Sequence, residues 1–212
     1  MKSLIAPAAL HLLACTLLQA QSDYRKHSIT LGVGAARPRG DVRTFFTDSP
    51  ALAGRYGYRF HRYFQIDAGL DTVFGAADVR DFMPTQFGDL RIRDYQFLLP
   101  YGGTVIVPLA GERVHFSASG GGAYARYSEQ IRQPFQDSGF RLDCVVCSSR
   151  QGWGYYAGLG ANVALDQAQN FRLGVGSRVY RVETEGDPFG SVPGIRTRDR
   201  WINLFVELTF SL

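Results

Sequence analysis

The chain has 212 residues, 45% of them hydrophobic types, with 23 basic and 19 acidic residues giving a formal net charge of +4. That length suits one domain, and no low-complexity tract or Pro/Ser-rich linker marks a second. The basic residues, nearly all arginine, form no contiguous run and share every long polar segment with Asp or Glu, which excludes a nucleic-acid footprint; no apolar stretch reaches the ~20 residues of a transmembrane helix, so any membrane crossing must use strands.

Residues 1–20 carry Lys2, an apolar run from Leu4 to Leu18, and Ala20 ahead of a polar segment opening at Gln21. This is the pattern of a cleaved signal peptide, and residues 21–212 are expected to be one mature domain. Leu12-Leu13-Ala14-Cys15 also resembles a lipoprotein cleavage box, with Cys15 as the acylated residue, but the apolar run continues past it to Leu18 and favours cleavage after Ala20.

From there the chain alternates with a period of two, the signature of half-buried strands. In 27–36, Ile29, Leu31, Val33 and Ala35 alternate with Ser28, Thr30, Gly32 and Gly34; in 51–60, Tyr56, Tyr58 and Phe60 alternate with Arg55, Gly57 and Arg59. His61-Arg62 is a tight turn into 63–74, where Phe64, Ile66, Ala68 and Leu70 face away from Gln65, Asp67, Gly69 and Asp71. The segment 95–109 sets Phe97, Leu99, Tyr101, Val105 and Val107 against Gln96, Gly102 and Thr104, and Pro100 and Pro108 weaken its ladder. After Ala110-Gly111-Glu112, 113–127 places Val114, Phe116, Ala118 and Tyr124 opposite His115, Ser117, Ser119 and Gly121. Two further strands, 152–165 and 171–183, are joined by Asp166–Asn170, and 200–212 closes the set with Ile202, Leu204, Val206, Leu208, Phe210 and Leu212 on one face, Phe205 being the exception on the other.

The expected fold is all-β, an eight-stranded antiparallel transmembrane up-and-down β-barrel. Long connections (37–50, 75–94, 128–151, 184–199) alternate strictly with short ones, the rhythm of outer-membrane barrels with long outer loops and short periplasmic turns. Both termini are then expected on the periplasmic side.

Alternation alone does not say which face is wet, since a soluble barrel would bury the apolar face. The polar face decides: it holds many glycines, among them Gly32, Gly57, Gly102, Gly158 and Gly176, interspersed with Arg55, Arg59, Asp67, Asp71, Arg172, Arg178, Tyr180 and Glu207. Glycine packs nothing, and an eight-stranded lumen has room only for side chains, so small positions leave space for long ones. The arginines Arg55, Arg59, Arg172 and Arg178 nearly balance Asp67, Asp71 and Glu207, as buried charge requires, and a luminal salt-bridge network with Glu207 meeting an arginine is expected.

Tyr63-Phe-Gln-Ile-Asp-Ala-Gly-Leu70, the Gly-rich stretches at 120–124 and 154–161, and the final Leu208-Thr-Phe-Ser-Leu212 together resemble small outer-membrane β-barrels of the OmpA/OmpX and opacity-protein kind. The resemblance spans Ser28 to Leu212 and implies a bacterial outer-membrane location, outer-membrane lipid or lipopolysaccharide as surroundings, and insertion machinery that reads the last strand. This chain departs from the usual terminal aromatic residue, ending in Leu212 with Phe210 two back.

Three roles follow. A structural or surface-binding monomer is favoured, in which loop arginines Arg39, Arg43, Arg91, Arg93, Arg196 and Arg198 could meet lipid phosphates or a host ligand. A narrow, porin-like solute channel is the first alternative, and a lipid A-modifying enzyme the second. Catalysis is not expected. Its candidates His115 and Ser117 lie two apart on one strand face, about 7 Å at the backbone, too far for a nucleophile and its base. No cofactor or metal is implied: Cys144 and Cys147 alone cannot form a tetrahedral zinc site, and a loop-tip disulfide is favoured over free thiols in an oxidising compartment.

Overall fold

The computed structural model describes residues 24–44, 46–74, 83–85, 88–109, 113–132, 147–188, 194 and 196–212. The expected leader, the Cys15 box and Cys144 with its expected bridge lie outside the described residues.

The alternating segments form strands β1 (His27–Gly40), β2 (Ser49–His61), β3 (Phe64–Phe74), β4 (Met83–Thr85), β5 (Gly88–Leu109), β6 (Val114–Arg132), β7 (Cys147–Ala164), β8 (Phe171–Gly186) and β9 (Arg196–Ser211), with a 3-10 turn, η1 (Asp41–Thr44), between β1 and β2. The order β3-β2-β1-β9-β8-β7-β6-β5 is antiparallel throughout, and β3 pairs with β5 to close an eight-stranded barrel. Among the described residues strand β4 pairs with β5 alone.

Register follows the faces. In the β8–β9 ladder Leu173 opposes Leu208, Val175 opposes Val206 and Val179 opposes Ile202, while Gly174 opposes Glu207 and Arg178 opposes Asn203. A slip of one residue would exchange the two sets, so patterning specifies the pairing strongly. Strand β5 accommodates its prolines unequally. Its ladder with β3 runs from Phe64↔Val105 to Ala68↔Tyr101 and resumes at Asp71↔Leu98, leaving a gap beside Pro100, which has no N–H to donate.

The short turns share one rim with the start of β1 and the end of β9. His27 and Leu212 exchange backbone hydrogen bonds of 3.2 and 2.8 Å. In the turn from β7 to β8 the Asp166 carboxylate accepts the N–H of Phe171 at 3.0 Å and of Asn170 at 3.2 Å. The Phe171 bond is the main reason this carboxyl is held below its ordinary range.

Several strands reach farther than their apolar stretches, and this corrects the expected boundaries. Residues 88–94, 128–132, 147–151, 184–186 and 196–199, expected in loops, belong to strands, as do Arg39, Arg91, Arg93, Arg196 and Arg198; Arg43 is in η1. Ladder pairing needs only backbone groups, so strands continue past the apolar belt with charged residues on the outer face.

Outward positions are apolar and uncovered: Val33 is 60% exposed, Val175 60% and Leu159 68%. A continuous apolar girdle of this kind is far larger than soluble monomers tolerate. The buried residues are those of the lumen.

Two glycines contrast the filled lumen with the open outer face: Gly176 points inward, and Gly54, opposite Leu31 and Leu70, points outward. A Cβ on Gly176 would lie 2.8 Å from the Glu207 carboxylate, whereas one on Gly54 would meet nothing within 4 Å. Gly176→Ala is expected to lower stability by about 1–3 kcal/mol through overpacking, and Gly54→Ala to leave it unchanged or raise it by up to about 1 kcal/mol. Urea unfolding in detergent micelles checks both; equal effects would contradict the close packing.

Candidate functional site

The lumen is filled in three levels. At mid-height Arg178, projected inward from β8, donates to Asp71 of β3 and to Glu207 of β9. The guanidinium of Arg55, from β2, lies 3.2 Å from the same Glu207 oxygen. Tyr180 donates its hydroxyl to Asp71 Oδ2 at 2.6 Å and the Asn203 amide does so at 3.1 Å, so the carboxylate is fully engaged. Arg178, Asp71 and Glu207 are 2%, 1% and 7% exposed, which makes this a desolvated charge cluster whose members depend on one another. Phe205, the apolar exception on the polar face, belongs here: its ring lies 4.8 Å from the Arg178 guanidinium carbon, in cation–π range.

Asp67 stands beside this cluster without an ion pair among the described residues; it accepts hydrogen bonds from the Thr104 hydroxyl and, at 2.5 Å, from the Gln65 amide. Thus Arg55, Asp71, Arg178 and Glu207 of the expected network meet, and Asp67 is held by neutral donors.

Toward the short-turn rim, Arg59 and Arg172 are buried side chains with contacts of their own. They line a cavity of about 450 Å³ together with Tyr24, Arg25, Arg62 and His115. A narrower space of about 50 Å³ continues past Thr104 and Ser117 to Arg55 and Glu207.

Toward the long-loop rim the filling turns aromatic. Trp201 is wholly buried and donates its indole N–H to the Tyr127 hydroxyl at 3.0 Å. Phe46, from the connection between β1 and β2, packs edge-on at 5.5 Å from Trp201 and 6.0 Å from Tyr127, and Val42 of η1 is equally buried. Above them Arg150 lies over the Tyr127 ring at 4.8 Å and donates to Thr197 at 2.8 Å, while Thr184 donates to Asp199 at 2.9 Å.

Sequence reasoning placed Arg150, Thr184, Thr197 and Asp199 in or at the edge of loops. A signal was present: Arg196, Arg198 and Arg200 alternate with Thr197 and Asp199, period two carried by charge instead of hydrophobicity. For Val42 and Phe46 there was none, because no strand pattern carries them into the barrel mouth.

Chemically, these levels set opposite charges against each other and fill much of the lumen with side chains. His115 faces the lumen near the short-turn rim, buried, with Ser117 two residues along the same strand. Among the described residues no three His, Cys, Asp or Glu side chains converge as metal ligands would.

A family model described as an outer membrane protein beta-barrel domain matches residues 6–194. The structure is similar to Neisserial surface protein A at 14% identity and TM-score 0.51, covering 88% of this chain and 97% of that one. It is also similar to the outer membrane protein OprG from Pseudomonas aeruginosa at 11% identity and TM-score 0.53, covering 89% and 98%. Both likenesses concern the fold. No curated protein sequence matches the chain.

Proposed function

The chain belongs to the outer membrane protein β-barrel domain family, and from that premise we propose that it is an integral outer-membrane monomer with an occluded lumen, acting as a structural or surface-binding protein through its outer face and long loops. The observation that carries this reading is the filling of the barrel, in which Arg178 spans from Asp71 to Glu207 at mid-height and Phe46 and Trp201 close the long-loop mouth. Eight-stranded barrels enclose room for side chains, and aqueous channels come with roughly 16–18 strands.

In this reading residues 1–20 are removed on export, both termini face the periplasm, and the last strand is what the insertion machinery recognises. The outer-membrane lipid, lipopolysaccharide included, is the immediate partner. No reaction is assigned: His115 and Ser117 are neighbours on one face of β6, separated by about 7 Å of backbone, and sit inside the barrel, away from an acyl chain in the bilayer.

The cavity of about 450 Å³ at the short-turn rim favours the channel as second reading, since it opens a path part of the way to Glu207. Single-channel recording in planar bilayers separates the two. Wild type is expected to insert without discrete current steps; steady steps would establish the channel and overturn the occluded-barrel reading.

A further inference from the structure

Where the apolar girdle ends on the long-loop side, the ladders line up one row of outward residues. Arg39 of β1 is directly opposite Arg200 of β9, and Arg200 is directly opposite Arg181 of β8. The row continues through Tyr155, Gly122 and Tyr101. Adjacent strands are about 4.8 Å apart, so three guanidinium groups are held side by side on one face. Like charges directly opposite each other oppose sheet formation, and no carboxylate among the described residues pairs with these three. Of the carboxylates described nearby, Asp48 pairs with Arg37 at 2.7 Å, Glu183 with Arg198 at 3.1 Å and Arg196 at 3.6 Å, and Asp41 accepts the Arg198 backbone N–H at 2.9 Å. Among the described residues Arg39, Arg181 and Arg200 form no ion pair; Arg181 reaches only the Tyr155 hydroxyl, at 3.4 Å.

The height of the row is informative. Below Arg200, Ile202, Leu204, Val206, Leu208 and Phe210 of β9 and Leu212 just past its end face outward, ten residue steps that at about 3.3 Å each and a tilt near 40° span about 25 Å, the height of a barrel's lipid-facing band. Trp153, 63% exposed and two residues beyond Tyr155 on β7 towards the long-loop side, adds an interfacial aromatic ring on the strand next to Arg181. The arginine row therefore stands where lipid phosphates stand.

We propose that Arg39, Arg181 and Arg200 form a binding site for the phosphate of an outer-leaflet lipid headgroup, of the kind lipopolysaccharide carries, whose acyl chains lie on the apolar rows beneath. The site rests on the reading of this protein as an outer-membrane barrel with its long loops outward. The planar fork of each guanidinium suits bidentate phosphate contact, and the bound anion supplies the charge that the row lacks.

The test is native mass spectrometry of the refolded full chain with lipid A, dephosphorylated lipid A or inorganic phosphate, paired with thermal unfolding. Wild type is expected to retain lipid A and gain thermal stability from it, with neither effect from the dephosphorylated lipid or from inorganic phosphate. Arg200→Gln is expected to weaken retention about tenfold, what one charge-assisted hydrogen bond supports, and the triple Gln variant to abolish it. Arg126→Gln, an exposed arginine off the row, should retain lipid as wild type does. In lipid-free detergent the triple variant is expected to melt at or above wild type. Equal retention by the triple variant, equal loss in Arg126→Gln, or equal retention of dephosphorylated lipid A would overturn the proposal. So would stabilisation by inorganic phosphate alone, or a lower lipid-free melting point for the triple variant. Failure of the barrel reading would show separately, as wild-type protein in the soluble periplasm.

Discussion

Arg178→Met is expected to unfold the barrel or bring it close to unfolding. The substitution keeps an unbranched apolar stem in place of the Arg178 methylenes but ends short of the guanidinium, leaving Asp71 and Glu207, both almost fully buried, without the cation that joins them. Breaking a buried pair by removing one partner costs about 3–5 kcal/mol, against a total stability of about 5–15 kcal/mol for a domain. The readouts are the urea midpoint in micelles and the fraction of protein that keeps the folded gel mobility without heating. Arg178→Lys should fall between, because an ammonium is a point charge and lacks the fork that reaches two carboxylates at once. The combined Asp71→Asn, Arg178→Met, Glu207→Gln protein should recover much of the loss, since neutral groups carry a smaller desolvation cost. A wild-type midpoint for Arg178→Met would mean that water, and not Arg178, compensates these carboxylates.

Trp201→Ala is the second large effect. Trp201 fills the loop-side mouth, holds the Tyr127 hydroxyl and forms the wall on which Phe46 rests. Truncating a buried aromatic to alanine costs about 3–5 kcal/mol, and here the loss should appear in both the urea midpoint and the protease sensitivity of the β1–β2 connection. Phe46→Ala separates the two. Phe46 belongs to the connection, so its truncation should release that segment to proteolysis while moving the barrel's urea midpoint much less, as expected of a locally unfolding element. Equal midpoint losses in the two variants would show that the plug is part of the barrel's cooperative core.

The contrast between these residues shows what could be read before the fold was known. Glu207 and Arg178 were legible as luminal because each lies on the polar side of an alternating strand. That they meet, and that Asp71 completes the cluster while Asp67 rests on Thr104 and Gln65, was not legible. Those contacts join strands far apart in the chain through the stagger of the closed barrel. Phe205 looked like a break in the pattern and is a ring against Arg178. Val42 and Phe46 carried no periodic signal, since a plug is specified by the shape of the mouth it enters.

By itself the sequence determined the apolar stretches of the eight barrel strands, the face each of their residues takes and the order of long and short connections, but not how far the strands run beyond the apolar belt. These follow from the pleat, which assigns every second residue to the same side whatever its neighbours are. Tertiary structure decided which luminal charges neutralise each other, how the long-loop mouth is closed, and that Arg39, Arg181 and Arg200 stand in one row. All of these depend on inter-strand register and shear, which place residues side by side that the chain keeps far apart.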